Sequence, residues 1–160
     1  MRRLIIRADG AARGNPGPAA AGAVLIDADS PDRYDPDATP VGVVSRPLGV
    51  RTNNVAEYAA VVLALRLAER LGARDVELIL DSNLIVEQLS GRWRVKNPGL
   101  QGLYREARER LESLERAVVR HEGRASNRAA DALANLALDD PAAARAMEAA
   151  LLGSETAAGG

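Results

Sequence analysis

The chain has no cysteine, a single histidine (His121), a single tryptophan (Trp93) and a single lysine (Lys96). Without cysteine there is no disulfide framework and no thiolate chemistry. No apolar run reaches membrane-spanning length. The opening "MRRLIIRADG" is not a signal peptide, because its apolar stretch is short and is interrupted by Arg7. These absences fit a cytoplasmic protein with no membrane contact. Net charge is also scarce: 21 Lys and Arg stand against 22 Asp and Glu, leaving −1. A nucleic-acid binder with that balance must use a local basic patch and not a global field. What remains is an ordinary globular composition, 47% hydrophobic and 27% charged, in 160 residues, enough for one domain with one core.

Residues 3–9 read as a first strand with Leu4, Ile5 and Ile6 at its centre, and 20–27 as a second. The acidic, Pro-punctuated "DADSPDRYDPDATP" joins the second to a third strand at 41–49. That strand should run antiparallel to the second, because no helix intervenes. Pro47 favours an edge position for it. Residues 54–71 give the strongest helix signal, apolar around most of the circumference, with Gly72 as a stop. "DVELIL" at 75–80 is a fourth strand, placed parallel by the helix before it. "SNLIVEQLS" is a short helix, and Leu100, Leu103, Tyr104, Ala107, Leu111 and Leu114 mark another. "RAVVRH" at 116–121 is a fifth strand, followed by a helix starting near Ser126. The order β-β-β-α-β-α-α-β-α predicts an α/β fold, a mixed sheet with helices on its faces. The domain is expected to span 1–138. A short Ala-rich helix and a flexible tail are expected over 139–160.

Four acids occupy telling places. Asp9 ends the first strand and Asp81 the fourth, Glu57 lies in the first turn of the long helix, and Asp131 lies in the helix after the fifth strand. Each has an ordinary use when taken singly. Asp9-Gly10 is a turn dipeptide, Glu57 completes a capping box from Asn54, Asp81 caps the next helix, and Asp131 sits on a solvated face. Jointly they are harder to dismiss. If the first and fourth strands are neighbours, Asp9 and Asp81 share one sheet edge, and two charges about 4 Å apart repel by ~4 kcal/mol at an effective dielectric near 20. Protonation or counter-cations must relieve that. Carboxylates without His or Cys partners suit Mg²⁺ or Mn²⁺, and two-metal sites of this kind carry out phosphoryl displacement.

"DGAARGNPGPAAAG", "TNNVAEY", "DSNLIVEQLSG" and "NRAADALAN" resemble, in order, the motifs of the type 1 ribonuclease H family, over roughly residues 3–138. The resemblance implies a five-stranded mixed sheet in the order 3-2-1-4-5, and hydrolysis of the RNA strand of an RNA–DNA hybrid to leave 5′-phosphate and 3′-hydroxyl ends. It implies two Mg²⁺ or Mn²⁺ ions. Asp9 would bridge them, Asp131 would help hold the ion that delivers water, and Glu57 and Asp81 would hold the ion at the leaving 3′-oxygen. Asn15, Asn53, Asn54 and Asn83 match positions that contact the hybrid's minor groove, where amides read the 2′-OH and base edges. Asn53 and Asn54 are expected to serve as caps as well. Gly10 and Arg13 belong to the same loop as Asn15, whose glycines let backbone approach a sugar-phosphate.

Two features separate this chain from better-studied members. His121 stands where those members carry a mobile catalytic His, yet "RASN" resembles the archaeal and actinobacterial branches that use an Arg, here Arg124. Arg124 is the stronger candidate, since its charge does not depend on pH. There is also no room for the inserted basic helix of many members. "GRWRVKNP" remains, with Trp93 shaping a loop that presents Arg92, Arg94 and Lys96 to DNA phosphates. The expected partner is an RNA–DNA hybrid bound by a monomer. Rival readings are a catalytically silent hybrid-binding module, disfavoured by the intact acids, and a structure-selective DNA nuclease on the same fold, disfavoured by Asn53 and Asn54. A nucleotide-binding loop is disfavoured because "GNPGP" leads into a strand and not a helix.

Overall fold

The computed structural model describes the backbone of residues 2–159 and the side chains of 2–155. β1 (Arg2–Ala12), β2 (Gly17–Asp27) and β3 (Gly42–Arg51) form an antiparallel meander. α1 (Asn53–Arg70) then crosses to β4 (Ala73–Leu80), which pairs parallel with β1. α2 (Asn83–Leu89) and α3 (Pro98–Glu112) lead to β5 (Arg116–His121), parallel to β4. A short 3₁₀ turn (Arg124–Asn127) precedes α4 (Arg128–Asp139) and α5 (Pro141–Gly159). The sheet order is β3-β2-β1-β4-β5, as expected. β3 is an edge strand, and Pro47 lies beside a register shift in its pairing with β2.

Alternation along the strands sorts the core into two layers. Leu4, Ile6, Ala8, Leu78 and Leu80 face α1, where they meet Ala60, Val61, Ala64, Leu65 and Ala68. Ile5, Val24, Ile26, Val43 and Ile79 face the other way, toward Leu133 of α4. α1 is buried between the sheet and α3, which explains its apolar circumference. Arg66 Nε on α1 reaches Glu106 Oε2 on α3 at 2.7 Å, and Arg110 Nη1 on α3 reaches Glu69 Oε2 on α1 at 2.5 Å, which ties the outer surfaces of the two helices. Gly72 closes α1 at φ +79°, the left-handed conformation its stop signal required.

Three expectations about helix ends change. Thr52, not Asn54, caps α1, accepting a 3.3 Å hydrogen bond from Val55 N. The hydroxyl reaches the third amide from an extended residue, and Asn54 is already inside the helix. Ser82, not Asp81, caps α2. Both corrections release a polar side chain from a local duty. The Ala-rich helix is also longer than expected. α5 has 19 residues and runs through the segment read as a flexible tail. Its Ala144 is fully buried against Ala20, Ala134 and Ala137, and Glu148 accepts a 2.9 Å hydrogen bond from Ser45 N on the edge of β3. Small apolar residues let α5 settle on α4 and β3, which a composition-based tail assignment ignores.

Helix and sheet come close at Gly22, where a Cβ would stand 2.0 Å from Ala130 O and 2.6 Å from Ala134 N. Gly22→Ala must push α4 off β2. Its cost is expected near 3 kcal/mol, the upper part of the range for overpacking, or roughly 6–12 °C in Tm for a chain of this length. A thermal melt within about 2 °C of wild type would show that the approach is looser.

Candidate active site

β1 and β4 are paired in register as far as Arg7 opposite Ile79. Two residues further on, each strand carries an acid, so Asp9 and Asp81 come side by side where the sheet ends. Alternation places Asp9 on the side of Ile5 and Asp81 on the side of Ile79, facing α4. Glu57 arrives from α1, one turn beyond its start and not in its first turn. What brings it close is Gly10. A Cβ there would lie 2.2 Å from Ala56 C and 2.3 Å from Glu57 N, so α1 can touch β1 only if position 10 has no side chain. Gly10 thus makes a close approach to helix backbone within the protein as well as lining the cleft. Asp131 sits in the first turn of α4, where the helix dipole favours a negative charge.

Carboxylate oxygens of Asp9, Glu57 and Asp81 all lie within 4.8 Å of one another. Asp131 lies beside them, and its charge helps to push the Asp9 carboxyl up. With Gly10, Arg124 and Arg128 the four acids line one cleft of about 320 Å³. A somewhat larger groove, about 370 Å³, lies between α1, β3 and α5, but it is mainly apolar and contains none of the four. Burial, then Asp81, Asp131 and Glu57 in turn, push the Asp9 carboxyl up to about 8. Burial and then Asp81 push Glu57 up to about 7, while Arg124 pulls it down. The arrangement cannot hold all its charges without help. Three partly buried all-oxygen donors at this spacing fit a hard divalent cation and do not fit a soft one.

The other expected residues divide. Arg124 lines the cleft, whereas His121, at the end of β5, places Nε2 3.2 Å from the backbone carbonyl oxygen of Asp81 and does not line it. Asn15 accepts a 3.1 Å hydrogen bond from Asn53 N, so it braces the start of α1. Asn53, Asn54 and Asn83 are exposed at the starts of α1 and α2, without the cap role expected of the first two. Arg13 is drawn onto α4, with an ion pair to Asp139 at 2.8 Å and a 3.2 Å hydrogen bond to Asn135 Oδ1. Arg92 is likewise paired with Glu87, so of the expected basic trio only Arg94 and Lys96 have no ion pair among the described residues. Trp93, in the same connection, is 48% exposed.

One cleft residue escaped the sequence. Arg128 precedes Asp131 by one helical turn and is held by Asp37 at 2.7 Å. The i, i+3 spacing of "RAAD" carried the signal, but its partner lies in the distant acidic loop.

A family model described as reverse transcriptase-like matches residues 7–137. A ribonuclease HI of Halobacterium salinarum is 44% identical over 135 residues, covering 82% of this chain and 62% of that protein. Its crystal structure superposes with a TM-score of 0.78 at 43% identity, covering 86% of this chain and 98% of that one. The chain belongs to the type 1 ribonuclease H family. A bifunctional protein of Mycobacterium tuberculosis is 42% identical over 147 residues, 92% of this chain but 38% of that protein. The chain thus spans well under half of the mycobacterial relative and under two thirds of the Halobacterium one. LC11-RNase H1, solved in complex with an RNA/DNA hybrid, superposes with a TM-score of 0.76 at 36% identity, covering 86% of this chain and 98% of that one. These archaeal and mycobacterial relatives agree with the branches that "RASN" resembles. Only residues 90–97 separate α2 from α3, so the compact form without a basic insertion is also as expected.

The raised acids make the metal-free protein sensitive to pH. Asp9 binds its proton more tightly folded, at about 8, than at its ordinary 3.8. The stability it contributes is therefore complete below about pH 4 and lost as pH rises through 8. Asp9→Asn keeps the uncharged shape. In EDTA its stability should match wild type near pH 4 to 5. By pH 8.5 it should exceed wild type by about 2 kcal/mol, a figure reduced for solvent screening at a partly exposed site. A pH series of thermal melts in which Asp9→Asn never gains on wild type would remove the crowding from the account.

Proposed function

We propose that this chain hydrolyses the RNA strand of RNA–DNA hybrids at the carboxylate cleft, leaving 5′-phosphate and 3′-hydroxyl ends. The observation that carries the reading is the convergence of Asp9, Glu57 and Asp81 within 4.8 Å, with Asp131 lining the same cleft. Relatives named ribonuclease H and the hybrid-bound neighbour support the substrate class.

The residues have separable tasks. Asp9, Glu57, Asp81 and Asp131 would hold two divalent cations, Mg²⁺ or Mn²⁺. When bound, such ions lower the pKa of water and neutralise charge developing on the phosphate. Arg124, on the cleft wall, can meet a phosphate oxygen with a cation at any working pH. Gly10 and Asn15 set the start of α1, and with it Glu57. Asn53, Asn54 and Asn83, freed from capping, can donate and accept along a minor groove. Trp93, Arg94 and Lys96 form an exposed arm suited to the DNA backbone. The same reading expects a cytoplasmic monomer. Among the described residues no helix is long and apolar enough to cross a membrane.

The deciding assay uses matched RNA–DNA, RNA–RNA and DNA–DNA duplexes, each with Mg²⁺ and with EDTA. Cleavage of the RNA strand of the hybrid alone, abolished by EDTA and by Asp81→Asn in a protein that still melts cooperatively, is expected. Binding without cleavage would leave a silent hybrid-binding module, and cleavage of DNA–DNA duplexes would favour a structure-selective nuclease.

Arg124 and His121 are separated by kinetics. Arg124→Ala should lower kcat at every pH from 6 to 9, a span chosen to cover roughly the His titration range. His121→Ala should lose less than about tenfold, well below what a general acid or base contributes. A His121→Ala variant that loses more than Arg124→Ala and reshapes the pH profile would return the proton-transfer role to His121.

A further inference from the structure

Arg7 has no part in the function described above, yet it is the largest fully buried side chain, 1% exposed. It stands in β1 two residues before Asp9 and faces the same side of the sheet. Its Nη1 donates to Glu122 Oε1 at 2.7 Å and its Nη2 to Tyr34 O at 3.2 Å, while its Nε finds no partner. Glu122 also pairs with Arg120, Arg120 Nε donates to Glu77 Oε1 at 2.6 Å, and Tyr34 OH donates to Glu77 Oε2 at 2.8 Å. Charges of alternating sign thus run across β1, β4 and β5 beneath the 28–41 loop, on the side of the sheet where α4 covers β1, β2 and β3.

Stability is a poor explanation for this ladder. Burying a guanidinium costs several kcal/mol, and a well-packed apolar residue often serves as well or better. One donor is moreover left unpaired, which adds to the cost. The ladder does, however, end at a functional segment. Glu122 is followed by Gly123 and Arg124, and its own N donates to Leu80 O at 3.0 Å, next to Asp81. At the other end of that segment, Asn127 Nδ2 donates to Ala8 O at 3.0 Å in a buried contact. The stretch carrying Arg124 is therefore pinned at both ends to adjacent residues, Arg7 and Ala8, of the strand that carries Asp9. Between the pins the Arg124 side chain is exposed on the cleft wall.

We propose that Arg7 is a positioning residue: through Glu122 it fixes the near end of the 122–127 segment against β1, and so aligns the Arg124 guanidinium with a phosphate held at the carboxylates. The proposal rests on the hybrid hydrolysis proposed above. Arg7 and Glu122 touch no substrate and act only through Arg124.

The test is a double-mutant cycle on the full chain, with an RNA–DNA hybrid and Mg²⁺. Glu122→Gln and Arg7→Met are made alone and in an Arg124→Ala background. Each single variant should lower kcat roughly tenfold, as misplacement of a positioned group does, and leave KM within about twofold. In the Arg124→Ala background neither should cost more than about a further twofold, because the group they position is gone. A purely structural role predicts the opposite, losses that multiply. Glu122→Gln retains the shape and can still accept from Arg120, so its cycle decides the matter should Arg7→Met fail to melt cooperatively. Multiplicative losses, or a folded Glu122→Gln with wild-type kcat, overturn the proposal. A wild-type chain that binds but does not cut hybrids overturns the proposed function, and this proposal with it.

Discussion

Everything at the working end of this protein is arranged around the mutual repulsion of four carboxylates. Asp9, Glu57 and Asp81 come within 4.8 Å, and the folded chain alone does not neutralise them. Two unit charges at such a distance oppose each other by several kcal/mol at an effective dielectric near 20. That energy comes from the rest of the molecule. Parallel pairing of β1 with β4 brings two of the acids together, and an aliphatic sheet core between α1 and α4 keeps those strands in place. The crowding is tolerable in one of two ways, by taking up protons or by taking up cations. The first appears as the raised Asp9 and Glu57 carboxyls. The second is the use we propose.

Precision at such a site depends on how closely helices can approach the sheet. Small residues settle this. Gly10 admits the backbone of Ala56 and Glu57, and Gly22 admits that of Ala130 and Ala134. Ala60, Ala64 and Ala68 line the buried face of α1 where larger side chains would hold it away. The long arms of the core belong to leucine and isoleucine, and Tyr58 is its one buried aromatic, with its hydroxyl given to Gln88 Oε1 at 2.6 Å. A core of this kind has few large plugs, so position is set by backbone contact. Such contact is unforgiving of even one added methyl.

Much of this was legible in the sequence, for identifiable reasons. The sheet order came with the resemblance of the four motifs to the ribonuclease H family; strand identity and the acids follow from alternation, from a helix between β3 and β4, and from acids at strand ends. Those signals are local or follow from topology. What was missed depends on which partner a side chain takes, in most cases one distant in sequence. "GRWRVKNP" reads as three free cations, and only the structure shows Arg92 turned back to Glu87. Arg128 waits on Asp37, and Arg7 on Glu122, separations that no periodicity encodes. The capping errors were of another kind. Thr52, Asn53 and Asn54 are all competent caps in succession, as are Asp81 and Ser82, and the choice is made by which residue the strand before it leaves extended. The Ala-rich end was misjudged because helix length there depends on Ala144 finding a seat between α4 and β2.

The near-neutral net charge acquires a meaning once the cations are located. The cleft sets four acids against Arg124 and Arg128, and Arg128 already answers to Asp37, so its own field repels a phosphate. The exposed Trp93, Arg94 and Lys96 lie on the separate connection between α2 and α3 and carry no such penalty. On the proposed function the two regions divide the work. The arm supplies attraction that falls with salt and needs no metal. The cleft admits the backbone only after divalent cations have reversed its charge. Affinity for the duplex and commitment to cutting are then controlled by different solution variables. A chain with a strongly basic cleft could not separate them, because its phosphate affinity and its metal affinity would oppose each other at the same place.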